Sequence, residues 1–453
     1  LNFEKVDEGF PISPWEFCFE EGKDEVYLDP FRVVGWWGLR MVLTKRPLQE
    51  KLTLFWHDHF AVSATKVELG PAMLGYLEAI RKNCVGKFET LLMAMAKDPA
   101  MMQWLDTIAN EKGRPNENFG RELMELFTLG IGNYNEQDVK EASRAFTGWG
   151  IRLLLLEQGG EKIQEVAKDC IRTGRPMVTY AYSDDLHDHG PKTVMGQTKN
   201  WTGEQIVEML AARPETARYL AKKLWSFFAY PDPSPALVER LAKAYQDSGQ
   251  NIKEVLRAMT KIPEFWSEKC VRQRVKSPIE YTVSIVRQLG VAQFLALLHG
   301  PSPSPMKAIA QPLREAAGGV TGLAFQQGML LLYPPDVAGW EWGSAWITTD
   351  SMTKRIQMAD LLMLGGAPRK DFGLANAVTL RLKANGSVAT SQEIASSLAN
   401  AFDAKLTADQ LSIMAQACDR AGGPATLASP ESAAKMYASL LRLLFGCPEF
   451  QYC

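Results

Sequence analysis

Thr202-Gly203-Glu204-Gln205-Ile206-Val207-Glu208-Met209-Leu210-Ala211, with Pro214-Glu215-Thr216-Ala217-Arg218-Tyr219-Leu220-Ala221-Lys222-Lys223-Leu224-Trp225 close behind it, decides the architecture. Apolar residues return every three or four positions, which gathers them on one face of a helix and would scatter them over both faces of a strand. The stride continues to Ala229 and recurs at Gly70 to Arg81, Phe88 to Met95, Gln137 to Thr147, Ala236 to Gln246 and Ile252 to Thr260. It reappears late in the chain at Met352 to Leu364, Ser391 to Phe402, Thr407 to Arg420 and Ser432 to Phe445. The fold class is therefore mainly α.

One stretch breaks the rhythm. Within an insertion at about 151–201, Ile151 to Leu156 and Met177 to Tyr182 read as short strands around a Gly-rich turn. An irregular insertion of roughly 50 residues inside a helical domain is more often functional than a plain connector. A second break is Pro301-Ser302-Pro303-Ser304-Pro305, which cannot carry a helix and reads as a linker or long turn over 301–312. The expected organisation is a helical domain over 1–300 that holds the insertion, then the linker, then a C-terminal helical region over 313–453 packed on the first. Those last helices lack histidine and read as structural.

Composition narrows the function. The 46% apolar and 23% charged fractions belong to an ordinary globular protein, and a net charge of −2 supplies no whole-chain drive toward nucleic acid. No apolar run approaches the roughly 20 residues that cross a bilayer; the stretch at Leu330 to Tyr333 ends at Pro334-Pro335. Seven scattered cysteines without a Cys-x-x-Cys pair argue against a zinc ribbon and a disulfide-dense scaffold, and permit one or two bridges in an exported protein. The chain opens on Leu1 without a basic and apolar leader, which leaves room for a removed amino-terminal piece.

Chemistry concentrates in histidine. Four of the five lie in two copies of one tripeptide, His57-Asp58-His59 and His187-Asp188-His189, and such clusters offer the N and O donors that transition metals use. On a helix, residues two apart point about 200° apart, so His57 and His59 share a metal only in a strand or at a bent end. The bland alternative has one histidine packed on Trp56 or Phe60 while Asp58 caps or pairs outside. The second copy sits in a Gly/Pro turn, where Asp188 could fix a ring nitrogen and Lys192 could meet an anion; an ordinary solvated turn is the competing reading. His299, before Gly300-Pro301, is a helix C-terminal residue and is set aside.

Between the two copies, Pro115 to Phe127 forms an amphipathic helix with Phe119, Leu123, Leu126 and Phe127 buried. Glu117, Arg121 and Glu125 form a row at four-residue spacing that explains two carboxylates as ion pairs. Glu122 has no such partner. A carboxylate flanking a buried face needs a cation, a metal or a proton, and unpaired its pKa rises.

Several stretches together resemble a bacterial family, domain-of-unknown-function family 1800. They are Trp56-His57-Asp58-His59-Phe60, Asn116-Glu117-Asn118-Phe119-Gly120-Arg121-Glu122-Leu123, Ala145-Phe146-Thr147-Gly148-Trp149, His187-Asp188 with Gly190 and Lys192-Thr193, Lys276-Ser277-Pro278-Ile279-Glu280, and Ala338-Gly339-Trp340 with Trp346-Ile347. They occur in the family's order over nearly the whole chain. Asp58 departs from the His-Asn-His-Phe form usual there, and His189 falls outside the pattern. The resemblance implies export through a twin-arginine or general secretory signal, to the periplasm or beyond, and a sulfatase- or alkaline-phosphatase-like partner; it brings no reaction with it.

The expectation carried forward is an exported metalloprotein in which His57, His59, Glu122 and His187 hold zinc, manganese or iron. Asp188 serves as orienter or ligand, and Arg121 or Lys192 faces an anionic or carbohydrate-derived substrate of a metal-dependent hydrolase. A non-haem iron oxidoreductase is the second enzymatic reading. The opposing class is a secreted scaffold or binding partner whose histidines and glutamates form a buried polar network.

Overall fold

The computed structural model describes residues 12–157, 162–292, 295, 298, 305–365 and 373–453, with backbone alone at 373 and 385. It is 63% helical, and the strands among the described residues form two small antiparallel hairpins, so the chain is mainly α as its periodicity requires.

The helices begin where sequence chemistry permits. Proline occupies the first turn of α1 (Pro30–Leu43), α2 (Pro47–His59) and the Pro214–Phe228, Pro235–Asp247 and Pro278–Gln288 helices, where its missing N–H costs nothing and its φ is already helical. Thr202 starts the Gly203–Ala211 helix through a reciprocal capping pair with Gln205. Five more helices complete the first half around α2: α3 (Ala64–Val67), α4 (Gly70–Asn83), α5 (Phe88–Ala96), α6 (Pro99–Trp104) and α7 (Asn118–Glu125), followed by α8 (Glu136–Ala145).

Trp36, Trp37 and Trp56 from α1 and α2 and Trp225 from the Pro214–Phe228 helix are among the largest fully buried side chains. Beside them lies a charged centre. Glu50 of α2 accepts from Arg40 Nε at 2.8 Å, Arg81 Nε at 2.9 Å and Trp37 Nε1 at 2.9 Å, so its buried carboxylate is compensated on every side and its pKa falls although burial alone would raise it.

In the insertion, β1 (Trp149–Leu153) pairs antiparallel with β2 (Val178–Tyr182), placing Trp149 opposite Tyr182, and β3 (Lys192–Val194) pairs with β4 (Gln197–Lys199). Two details differ from expectation. Leu154 to Glu157 turns into helix instead of extending the strand, and Ile163–Thr173 forms a helix burying Val166, Ala167, Cys170 and Ile171. The ladder ends at the Leu153–Val178 pair, and the turn that follows buries Leu155 in this small separate core, with Leu154 packed partly against it. The Gly-rich turn at 158–161, residues 301–304 of the Pro/Ser run and His299 lie outside the described residues.

Beyond the run a helix starts already at Gln311 and extends to Gln326, with Pro312 in its first turn. It lies so close to α1 that a Cβ on Gly38 would stand 2.4 Å from Thr321 Cγ2. The chain then returns to the start of α3, where Ala64 N–H donates to Leu332 O at 2.8 Å. Arg355, fully buried, sews the C-terminal region down, donating to Gln327 Oε1 (3.1 Å), Gln451 Oε1 (2.8 Å) and Lys276 O (2.8 Å). Among the described residues no helix is long and apolar enough to cross a membrane.

Candidate functional site

The last turn of α2 is buried on every side, and its three polar residues point to three different neighbours. His57 Nδ1 is 2.9 Å from the Tyr76 hydroxyl, and Leu332 N–H donates to Nε2 at 3.3 Å. An N–H donor on Nε2 assigns the ring proton to Nδ1; Tyr76 accepts it and passes its own hydrogen to Phe60 O at 2.9 Å. Burial pushes this imidazole down to about 3, so it is neutral and both nitrogens are occupied.

Asp58 holds the returning chain. Its Oδ1 accepts from Trp340 N–H at 2.8 Å and its Oδ2 from Trp342 Nε1–H at 2.6 Å. Burial raises its carboxyl to about 6, against the opposing pull of those donors and of Lys223. This joins the Trp56–Phe60 stretch to Gly339-Trp340, two segments that the sequence leaves far apart.

His59 differs from both. Its Nε2 lies 3.1 Å from Phe127 O, and because a carbonyl only accepts, Nε2 carries the proton. Nδ1 is then a bare lone pair, buried, without a hydrogen-bond partner. Burial, with Lys223 adding to it, holds the ring well below the usual histidine range, so the neutral form persists.

Phe127 follows α7, which carries Glu122. The Glu122 side chain is half-buried, and its pKa is raised by desolvation first and then by Glu125 and Asp336, with Arg121 opposing. Arg121 itself faces outward, bound to Glu136 through two contacts of 2.7 Å and to Glu117 at 3.3 Å. Glu125 takes the Tyr134 hydroxyl instead of the arginine that its spacing suggested. Arg121 is thereby bound to two surface carboxylates.

The second His-Asp-His forms a separate knot. His187 Nδ1–H donates to Thr147 O at 2.8 Å, and Asp188 N–H donates to Thr147 Oγ1 at 2.8 Å. Gly148, at φ +81°, makes the turn that allows this; a Cβ there would meet Ser183 O at 2.4 Å. Asp188 is held down to about 2 chiefly by Arg144, whose Nε is 2.7 Å away, with Gly190 N–H at 2.8 Å. Lys192 is fully buried, its ammonium spent on the carbonyls of Asp188 and Gly190 and on Asn200 Oδ1. Both residues tie the loop, and it is Thr147 O, not Asp188, that meets the His187 ring nitrogen. His189 is exposed and lies 3.3 Å from Asp184.

His57, His59, Glu122 and His187 therefore do not converge. Among the described residues no three His, Cys, Asp or Glu side chains form a group that could hold a metal ion. The residues present do not fit the expected shared metal, for the reason that helix geometry gives: side chains two apart on α2 diverge, and His57 has no nitrogen left.

What the end of α2 does gather is a lysine that the motifs do not contain. Lys223, half-buried on the Pro214–Phe228 helix, lies close enough to oppose the raised pKa of Asp58 and to add to the lowering at His59. Tyr219, one turn earlier, neighbours two of them: its ring centroid is 6.2 Å from that of His59, and the Lys223 ammonium is 5.5 Å from the same ring. Burial lowers the lysine's pKa, with Asp58 opposing. The i, i+4 pairing of Tyr219 and Lys223 is the sequence signal that would have exposed this face.

A family model described as a protein of unknown function (DUF1800) matches residues 20–452. No curated protein and no solved structure matches the chain.

Proposed function

The chain belongs to the DUF1800 family of proteins of unknown function, and since that description names no reaction, we propose from the site alone that it is a hydrolase working by proton transfer on a carbohydrate-derived substrate. The site is the region where the end of α2, α7, the Pro214–Phe228 helix and the 333–342 segment meet, with His59 buried and Glu122 half-buried. The observation that carries the reading is the buried, partnerless lone pair on His59 Nδ1. Buried polar atoms in folded proteins are nearly always satisfied, so an orphan acceptor beside perturbed carboxyls marks a place prepared for something else.

Glu122 is the proton-transfer group in this reading. A carboxyl whose pKa is raised by desolvation and by like-charged neighbours keeps its proton to higher pH than an exposed glutamate and can deliver it to a leaving oxygen. Water then gives its hydroxide to the cleaved carbon and its remaining proton back to the Glu122 carboxylate. His59 Nδ1, buried, accepts a hydrogen bond from a water molecule, with its tautomer fixed by Phe127 O. His57 and Asp58 shape the wall: one braces Tyr76 and Leu332, the other pins Trp340 and Trp342. No step passes through a metal.

The test is a panel of chromogenic glycosides, acyl esters and sulfate esters offered to the purified full chain, to Glu122→Gln and to Arg121→Gln. The expected result is turnover of a glycoside that falls at least a hundredfold in Glu122→Gln and stays within threefold in Arg121→Gln. Folded protein inert on the whole panel, or equal losses in both variants, overturns the assignment and returns the site to a structural network.

A further inference from the structure

Arg32 of α1 and Arg314 of the Gln311–Gln326 helix bring two guanidinium groups to one carbonyl oxygen, Phe17 O, at 3.4 Å and 3.0 Å. Arg32 is neutralised by Asp29 at 3.1 Å and Glu20 at 2.9 Å. Arg314 has carbonyls alone: it also donates to Phe19 O at 2.6 Å and Glu16 O at 3.5 Å, and no carboxylate among the described residues lies in ion-pair reach. Its Nε–H is left without an acceptor among them. Burial first and Arg32 second push its pKa down, with Glu20 and Asp29 opposing. Both arginines line a cleft of about 540 Å³ between the two helices. Elsewhere that cleft is apolar or bare: a Cβ on Gly318 or Gly322 would meet nothing within 4 Å, and Phe31 and Phe325, 58% and 59% exposed, line the same space. Exposed aromatics beside an open cleft mark a surface that meets an apolar partner.

We propose that this cleft binds the anion of a fatty acid, its carboxylate on the Arg314 guanidinium and its chain laid over Gly318 and Gly322 toward Phe325. Residues 314, 318, 322 and 325 follow one face of the helix, so the charged end and the apolar track belong to a single line. From Arg314 to Phe325 the helix rises about 16 Å, the extended length of an acyl chain of about a dozen carbons. The selectivity has a physical basis at each end. A neutral alcohol of the same length leaves the guanidinium without its counter-charge, and a short acid leaves the apolar track in water. None of these residues belongs to the site around Glu122 and His59, so the proposal stands apart from the hydrolase reading.

The experiment is isothermal titration calorimetry on the purified full chain, with decanoate, decanol and butyrate as separate probes. Decanoate should bind saturably, at least tenfold more tightly than decanol and at least a hundredfold more tightly than butyrate. Arg314→Gln, which keeps N–H donors for the carbonyls but loses the charge, should erase the preference for decanoate while leaving decanol binding unchanged. Gly318→Leu places a side chain in open space on a helix, so it should melt no lower than wild type and still weaken decanoate and decanol alike by at least tenfold. No saturable binding of decanoate, decanol bound as tightly as decanoate, or decanoate binding unchanged in Gly318→Leu overturns the proposal. Equal losses of both probes in Arg314→Gln overturn it too, since they would make the arginine a brace for residues 16–19 and nothing more.

Discussion

A Cβ placed on Gly339 would lie 2.4 Å from Oδ1 and 2.7 Å from the carbonyl oxygen of Asp58, so these two residues fix the distance between α2 and the segment that closes over it. Gly339 sits at φ +87°, and Gly343, four residues on, at φ +74° with open space around it. The pair makes an internal control. Gly343→Ala pays only for the left-handed backbone, about 1 kcal/mol. Gly339→Ala must also displace a buried carboxylate with its two hydrogen bonds, and should lose at least about 2 kcal/mol more in urea unfolding. Equal losses would show that the Asp58 contact yields easily.

Asp98 caps α6 from a buried position, accepting from Ala100 N–H at 2.9 Å and Met101 N–H at 3.1 Å through the same oxygen, Oδ1. Burial pushes its carboxyl up to about 7. A folded-state pKa above the unfolded one means that ionisation is disfavoured in the fold, so stability from this residue is greatest below the usual aspartate range and declines as pH rises to about 7. Asn offers the same single acceptor without the charge. Asp98→Asn should therefore melt higher than wild type at pH 8 and close to it at pH 4; a variant less stable at both would mean that the charge itself is needed.

Glu280 lies in the Lys276–Glu280 stretch and is structural. It closes the capping pair with Ser277, is clasped by the Arg274 guanidinium and has Lys51 at 3.3 Å. Although burial opposes it, Arg274 heads the charges that hold this carboxyl far below the usual range, so its contribution is present above the unfolded glutamate value and is lost as pH falls. Glu280→Gln strands a buried arginine and should cost about 3–5 kcal/mol at pH 7, with the gap to wild type shrinking in acid. A pH-independent gap would point to packing instead of charge.

Because His57, His59, Glu122 and His187 do not converge among the described residues, prolonged dialysis against EDTA should leave the melting temperature and any hydrolytic rate unchanged within error. A loss that one equivalent of zinc, manganese or iron restores would reinstate the metal-dependent mechanism with a ligand set other than the four expected.

Helices were legible because their signal is local. Ile252–Thr260 has the bounds its periodicity predicts, and Pro214–Phe228 differs by one residue. The run Ile151 to Leu156 shows the limit: an apolar run without alternation fits strand or helix, and Leu154 turned helical where the β2 partner ran out. The helix at 163–173 carried its own three- and four-residue spacing, hidden among the signals for an irregular insertion.

Glu122 was recognisable as a carboxylate without a local cation. The tautomer of His59 was not, because a carbonyl 68 residues away sets it. Lys223 reads in sequence as one more charge on a solvated face, and Lys192 reads as free although three oxygens surround it. Hydrogen-bond destinations across the fold, more than residue types, separate the working groups from the braces.

Asp58 meets Trp340 across 282 residues of chain, and His57 meets Leu332 across 275. During synthesis α2 emerges long before the segment that satisfies it, so its polar end waits, half-made, through the birth of most of the molecule. Contacts this distant are slow to close, and domains that depend on them are prone to stall with apolar surface showing. Chaperone dependence, and failure of amino-terminal fragments to accumulate as folded species, follow from that single long stitch.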